Sequence, residues 1–220
     1  NAKAWLGARA VGFGLALVVS MPDGMAHDGH KQHGLKPPDG GAVVREIARP
    51  QSPAQRYFTD VELIDQGNRP HRFYSDLLHD KVVVMTAFFT RCKDSCPVAT
   101  AKILQLQDHL GERLGKDVHF ISLTVDPAHD TPGELKTFAD KLGANPAWHF
   151  LTGKEENIRL AHTRLGTFGP NSATAKQDPE AHGNNIFLGN LRTGLWKKIF
   201  GPAISASALA KELDGILADK

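Results

Sequence analysis

The sequence KVVVMTAFFTRCKDSCP, Lys81 to Pro97, contains both cysteines of the chain. It starts with a continuous apolar, β-branched run, which is typical of a parallel strand buried on both faces. Pro97 favours the first position of a helix, which places Cys96 at the N-cap and Cys92 in the turn before it. The stretch therefore predicts a buried strand, a turn carrying one cysteine and a helix whose N-cap is the other.

Strand and helix patterns alternate through the rest of the chain. The predicted elements are a hairpin around the turn 65–68, a helix at 97–115, a strand at 117–126, a helix at 131–143, a strand at 148–153, a helix at 154–166, a hairpin over 184–201 and a helix at 205–220. Thr131 is the expected N-cap of its helix and Gly143 the expected end. The pattern predicts an α/β, thioredoxin-like fold with a mixed central sheet, an added N-terminal hairpin and flanking helices.

Composition excludes several classes of protein. The formal net charge is +2, from 26 basic and 24 acidic residues that are mixed along the chain, so no nucleic-acid partner is expected. Two cysteines are too few for a disulfide scaffold, and a domain of this size does not need one.

The N-terminal residues predict export from the cytoplasm. Lys3 and Arg9 precede an apolar run, and small residues near Ala26 provide a cleavage site, which is the pattern of a secretory signal. Residues 1–26 are interpreted as a signal peptide or as an anchor that holds the membrane through residues 4–21, and 27–54 as a flexible His/Pro/Gly-rich tether. The thioredoxin-like domain, 55–220, is then expected in the periplasm or anchored to the inner membrane and facing the periplasm.

The two cysteines permit three interpretations: a structural disulfide, a redox pair or part of a metal site. Arg91, Lys93 and the positive end of the helix should lower the pKa of both thiols. Thiolates are soft ligands suited to copper(I), whereas a structural zinc site and an iron–sulfur cluster need four ligands. Because an oxidising compartment favours disulfides, a pair used for chemistry needs a reductant or a metal.

Topology suggests a third ligand, His182. In a thioredoxin-like sheet the strand that follows His182 runs antiparallel to the strand that precedes Cys92, so the start of one and the end of the other share an edge. A long Gly/Pro-containing loop before His182 would let the imidazole move in and out, which suits transfer of a metal. We therefore expect Cys92, Cys96 and His182 to bind copper(I), and also copper(II), because imidazole suits both states.

Three motifs together resemble the Sco/SenC family of copper-binding cytochrome c oxidase assembly proteins. They are FFTRCKDSCP at 88–97, TVDPAHDTPGELK at 124–136 and AHGNNIFLGN at 181–190, and the resemblance extends from about Tyr57 to the C-terminus. It implies that Cys92, Cys96 and His182 are copper ligands. It also implies a metallochaperone that delivers copper to, or reduces the thiols of, the binuclear copper centre of the oxidase.

The partner and the reaction stay open at this point. Family members often have proline directly after the first cysteine, where this chain has Lys93, so the recipient is either the copper-accepting oxidase subunit or another copper enzyme. Copper delivery is a binding role without turnover. The alternative is an extracytoplasmic thiol–disulfide oxidoreductase in which Cys92 attacks and Cys96 resolves, with a thiol reductant as partner.

Two further groups of residues each allow two interpretations. Asp126 either orients the cysteine loop or belongs to a turn and helix cap in which Asp130 and Thr131 bind backbone amides. His27, His30 and His33 either bind a metal weakly or belong to a solvated spacer.

Overall fold

The computed structural model describes residues 52–92, 96–168 and 184–219, which all belong to the compact unit Ala48–Lys220. The signal segment 1–26, the histidines of the tether and His182 lie outside the described residues. Within those ranges, no helix is long and apolar enough to cross a bilayer.

Seven strands of the described ranges form one mixed sheet. The strands are β1 Glu62–Asp65, β2 Pro70–Arg72, β3 Val82–Phe88, β4 Val118–Thr124, β5 Trp148–Thr152, β6 Asn185–Asn190 and β7 Leu195–Phe200. Their order across the sheet is β2-β1-β5-β4-β3-β6-β7. The three central strands, β5, β4 and β3, are parallel, whereas β1 and β6 pair with them in antiparallel orientation. The predicted mixed sheet is therefore confirmed.

Helices cover both faces of this sheet. The helical elements are α1 Pro53–Phe58, the π-helical segment Phe73–Leu78, α2 Cys96–Leu110, α3 Pro132–Leu142, α4 Glu155–Leu165 and α5 Ala206–Ala218. One face of the sheet packs against α2, α3 and α5, and the other against α1, the π-helical segment and α4. The result is a three-layer α/β/α arrangement with a core on each side of the sheet.

Strand β3 explains why its sequence is apolar without alternation. Val82 and Val84 point into the core beneath α2 and α5, while Val83 and Met85 point into the core beneath α4. Since successive side chains of a strand point to opposite faces, a strand covered on both sides needs an apolar residue at every position. The predicted double burial of this strand is confirmed.

Two helix boundaries differ from the prediction. Helix α2 begins at Cys96 itself, one residue earlier than expected, and ends at Leu110 rather than near Gly115. The early end has a backbone cause: Gly111 has φ +53°, a left-handed conformation that an α-helix cannot contain. Leu114 stays buried although it lies beyond the helix, which is why the apolar pattern continued past the true end.

The N-terminal hairpin forms as predicted, but its flanking aromatic residues do not extend the strands. Tyr57 lies in α1, whose N-cap Ser52 accepts a hydrogen bond from the backbone of Gln55. Phe73 lies in the π-helical segment. Helix α1 thus starts two residues before position 55, the expected start of the domain.

The caps of α3 were predicted correctly. The Thr131 hydroxyl accepts a hydrogen bond from the backbone N–H of Glu134 at 3.3 Å. Gly143 ends the helix in the left-handed conformation, with φ +70°. The turn that leads from β4 into α3 is therefore set by local sequence.

His119 of β4 makes stability depend on pH. Burial, together with the positive charge of Lys81, lowers the pKa of this imidazole from 6.5 to about 4. Between these two pKa values the unfolded chain binds a proton at His119 and the folded chain does not. We therefore expect the free energy of unfolding to fall as the pH drops from about 6.5 towards 4. Because solvent screens a partly buried ring, we expect His119 to account for about 1–2 kcal/mol of that loss.

Urea unfolding at pH 7 and pH 4.5 measures this loss. His119→Gln should reduce the difference between the two pH values, whereas His109→Gln, on the exposed side of α2, should leave it in place. An equal loss in the wild-type chain and in His119→Gln would show that other groups cause it.

Candidate metal centre

Three elements meet at one edge of the sheet. Strand β3 pairs with β4 in parallel, with Phe88 opposite Thr124, so both strands end at this edge. Strand β6 runs antiparallel to β3, with Ile186 opposite Thr86, so β6 starts where β3 ends. The strand directions on which the placement of His182 depended are therefore confirmed.

Cys92 lies at this edge, four residues beyond the end of β3. It is partly buried and packs against an apolar cluster of Phe89, Val125 and Phe168. Its backbone N–H donates to the carbonyl of Phe89 at 3.2 Å. Cys92 is disulfide-bonded, and the sequence contains one other cysteine, Cys96. The centre is thus described in its oxidised state.

Of the three predicted ligands, Cys92 is described fully and Cys96 by its backbone alone. Cys96 starts α2, so both cysteine positions lie between the end of β3 and the first turn of that helix. His182 and Lys93 lie outside the described residues, so the role of His182 stays a prediction. Asn184, two residues after His182, accepts a hydrogen bond from the backbone of Gly201 at 2.8 Å, which holds the chain at the entrance to β6.

Asp126 binds the residue next to Cys92. Its Oδ2 accepts a hydrogen bond from Nη2 of Arg91 at 2.7 Å, and its Oδ1 lies 2.8 Å from Nδ1 of His129. Burial alone would raise the pKa of the Asp126 carboxyl, but the bonds from His129 and Arg91 outweigh it and lower the pKa. Asp126 is therefore a carboxylate that orients the cysteine loop, while Thr131 caps the helix.

Asp130 ties the base of the same loop to β4. Its side chain is fully buried and accepts from the backbone N–H of Thr90 at 3.2 Å and from the Thr90 hydroxyl at 2.5 Å. It also accepts from the hydroxyl of Thr124, the last residue of β4. Asp130 therefore binds the backbone amide of Thr90 in the cysteine loop, whereas the expected bond was to an amide of the helix cap.

His162 of α4 is a third fixed point at this edge. The ring is fully buried, with Nε2 2.8 Å from the carbonyl oxygen of Thr124 and Nδ1 3.1 Å from the hydroxyl of Thr167. A carbonyl only accepts, so Nε2 carries a proton and donates it to Thr124. The imidazole thus connects the end of β4 to the chain that leads out of α4.

A cavity of about 270 Å³ lies beside Cys92. Its wall is mostly apolar and comes from the cysteine loop and from helices α2 and α3. The lining residues are Phe89, Cys92, Pro97, Thr100, Ala101, Leu104, Phe138 and Leu142. An apolar wall limits water around the sulfur and strengthens electrostatic interactions there.

Sequence reasoning missed two groups of residues. His162 sits on the apolar side of α4, and a lone histidine in a helical pattern gives no sign of its partner. Asp65, His71 and His149 form the one group of three side chains within the described residues that could hold a metal ion, and they lie on strands β1, β2 and β5. The predicted hairpin could have suggested that Asp65 and His71 lie near each other. The contribution of His149 could not be predicted, because it depends on β5 being the neighbour of β1.

Comparisons with known proteins agree on a family. A family model described as SCO1/SenC matches residues 49–218. A protein of Stutzerimonas stutzeri named "Putative copper-binding protein" is 30% identical over 137 residues, which are 62% of this chain and 65% of that protein. The present chain therefore spans less than two thirds of that relative's length.

Two solved structures resemble the fold. A SCO1/SenC family lipoprotein from Bacillus anthracis superposes with a TM-score of 0.58 at 25% identity, covering 72% of this chain and 94% of that one. Bradyrhizobium japonicum ScoI with copper bound superposes with a TM-score of 0.56 at 23% identity, covering 70% and 96%. The second likeness shows the fold alone.

Asp130 should be essential for the stability of this edge. Asp130→Ala leaves the buried N–H and hydroxyl of Thr90 and the hydroxyl of Thr124 without their acceptor, so we expect a loss of about 2–3 kcal/mol in the free energy of unfolding. Urea unfolding at pH 7 measures it.

Asp140→Ala is the matched control. Asp140 is an exposed aspartate of α3 that pairs with Lys136 at 2.9 Å, and its loss should change stability by less than about 0.5 kcal/mol. Equal effects of the two substitutions would contradict a special role for Asp130.

Proposed function

Because the chain belongs to the SCO1/SenC family, we propose that it is an extracytoplasmic metallochaperone that binds copper through Cys92, Cys96 and His182. The observation that carries the proposal is the shared sheet edge, where β3 ends, α2 begins at Cys96 and β6 begins shortly after His182. The copper named for the Stutzerimonas stutzeri relative and bound by the Bradyrhizobium japonicum protein supports this choice of metal.

Copper(I) suits this ligand set. Thiolate sulfur is a soft ligand, and copper(I) accepts two or three ligands where structural zinc needs four. Two thiolates and one copper(I) carry a net charge of −1, which the positive end of α2 stabilises. Arg91 contributes less than its charge suggests, since Asp126 already neutralises it.

The disulfide sets the order of events. Two electrons and two protons convert the disulfide of Cys92 into two thiols, and loss of the thiol protons then gives the thiolates that bind copper. The electrons come from a thiol reductant, which becomes a disulfide in the exchange. Reduction therefore precedes copper binding. The proposal accordingly includes a protein partner that supplies the reducing thiols.

Transfer would start from the histidine side. The cysteine loop is held at its base by Asp130 and Asp126, whereas His182 follows a long polar segment. Release of the imidazole leaves copper on two thiolates, open to a ligand of the recipient. The proposed recipient is the copper-accepting subunit of cytochrome c oxidase or another copper enzyme, reached from the periplasm or from a membrane anchor through residues 4–21.

A copper titration tests the ligand set. Reduced full-length protein, titrated anaerobically against a competing chelator, should bind one copper(I) tightly. We expect Cys92→Ser and His182→Ala to weaken that binding by well over about 10-fold, because loss of a direct ligand should exceed the effect of an outer-shell change.

Two measurements complete the test. His109→Gln, an exposed histidine of α2, should leave the affinity unchanged. Disulfide exchange with a small thiol should survive His182→Ala, since only the sulfurs take part. If His182→Ala binds copper as tightly as the wild-type chain, the three-ligand site is wrong. If His182→Ala loses disulfide exchange but keeps its copper affinity, the result favours the oxidoreductase.

A further inference from the structure

A second set of side chains that can hold a metal ion lies on strands β1, β2 and β5, at least two strands away from β3 and the cysteine loop. His149 of β5 pairs with Ile121 of β4, which in turn pairs with Met85 in the middle of β3. Asp65 ends β1 and pairs with Leu151, two residues from His149. His71 of β2 pairs with Leu63, two residues from Asp65. The period of two in a strand places all three side chains on one face.

The distances between their ligand atoms suit a single ion. Asp65 Oδ2 lies 3.0 Å from Nε2 of His71 and 3.8 Å from Nδ1 of His149. All three atoms lie within 4.8 Å of one another. Zinc bonds to nitrogen and oxygen are about 2.0–2.2 Å, so two ligands of a tetrahedral ion are about 3.3–3.5 Å apart. Small side-chain rotations bring the observed spacings to that value.

The Asp65 carboxylate is already oriented for this role. Its Oδ1 accepts from the backbone N–H groups of Gly67 at 2.8 Å and Arg69 at 3.0 Å, which leaves Oδ2 directed at the two imidazoles. Burial alone would raise the pKa of the Asp65 carboxyl, but the hydrogen bonds from His71, Arg69 and Gly67 lower it to about 2. Backbone donors of this kind fix the position of metal-ligating carboxylates.

His149 supplies a nitrogen that needs a partner. Its Nδ1 is buried and, within the described part of the chain, makes no hydrogen bond. A buried polar atom without a partner destabilises the fold, and a bound cation would remove that cost. Burial and the nearby His71 lower the pKa of His149, so the ring is neutral and Nδ1 can offer a lone pair.

Arg69 occupies the place of the ion. Its Nη2 lies 2.8 Å from Asp65 Oδ2, and its side chain is 66% exposed. The guanidinium keeps much of its contact with solvent while it neutralises the fully buried carboxylate. The arginine therefore balances the buried carboxylate and can move into solvent when a cation replaces it.

We propose that Asp65, His71 and His149 bind one zinc(II) ion, with water as the fourth ligand. Two imidazoles and a carboxylate form a donor set for zinc(II), whereas copper(I) prefers the sulfur ligands of the cysteine loop. His71 binds through Nε2, and its ring then carries its proton on Nδ1. The inference does not depend on the copper proposal, because the two sites share no residue.

Zinc(II) itself is the probe, and the other candidate ligands are removed first. The background is the full-length chain with Cys92→Ser, Cys96→Ser, His182→Ala, His27→Ala, His30→Ala and His33→Ala. Equilibrium dialysis with elemental analysis should find one zinc(II) per chain, and a competing chelator gives its affinity. His71→Gln and His149→Gln should each weaken binding by at least about 10-fold, the lower range for changes around metal sites.

Arg69→Gln distinguishes this site from a purely structural cluster. Removal of the competing cation should tighten zinc binding several-fold, while His109→Gln should change nothing. Cobalt(II) should give the visible absorption of a four-coordinate ion in the background and lose it in His149→Gln. Metal-free unfolding curves verify that the variants are folded.

Two outcomes would overturn the proposal. One is zinc retention that is indifferent to both His71→Gln and His149→Gln. The other is a background chain that binds no zinc(II), including the case in which binding appears only after Arg69→Gln.

Discussion

The pairing of β3 with both β4 and β6 holds the parts of the cysteine edge together. Strand β3 is covered on both faces, which is why nearly every position in it is apolar. Its parallel partner ends at the same edge, and its antiparallel partner begins there. Because β4 is parallel to β3 and β6 is antiparallel to it, three parts of the chain meet at this edge: the cysteine loop, the start of α2 and the entrance to β6.

The turn after β4 makes this edge rigid on one side. Asp126 and Asp130 come from one short turn, yet they bind consecutive residues of the cysteine loop, Arg91 and Thr90. The same turn provides Thr131 as the cap of α3, so helix, strand and loop are fixed together. A transfer site needs a stable base and one ligand that can leave, and the described residues supply the base.

Local patterns predicted the fold because the signals are short-range. The apolar run of β3, the cap at Thr131 and the left-handed Gly143 each act within a few residues. The pairing of Arg91 with Asp126 and the contact of His162 with Thr124 join residues 35 and 38 positions apart, and nothing local marks them. Strand direction predicted that the end of β3 and the start of β6 share one edge of the sheet. It could not predict which side chains contact each other there.

Two donor chemistries therefore occupy different strands of one sheet. Sulfur lies at the end of β3, and imidazole with carboxylate lies on β1, β2 and β5, at least two strands away. Soft and borderline cations prefer different donors, so the two sites would not compete for the same ion. Ile121 and Leu123 of the intervening strand β4 belong to a packed core, and such a core couples two sites only where it has two discrete arrangements. Metal at one site should therefore leave affinity at the other nearly unchanged, which makes the two sites separable by experiment.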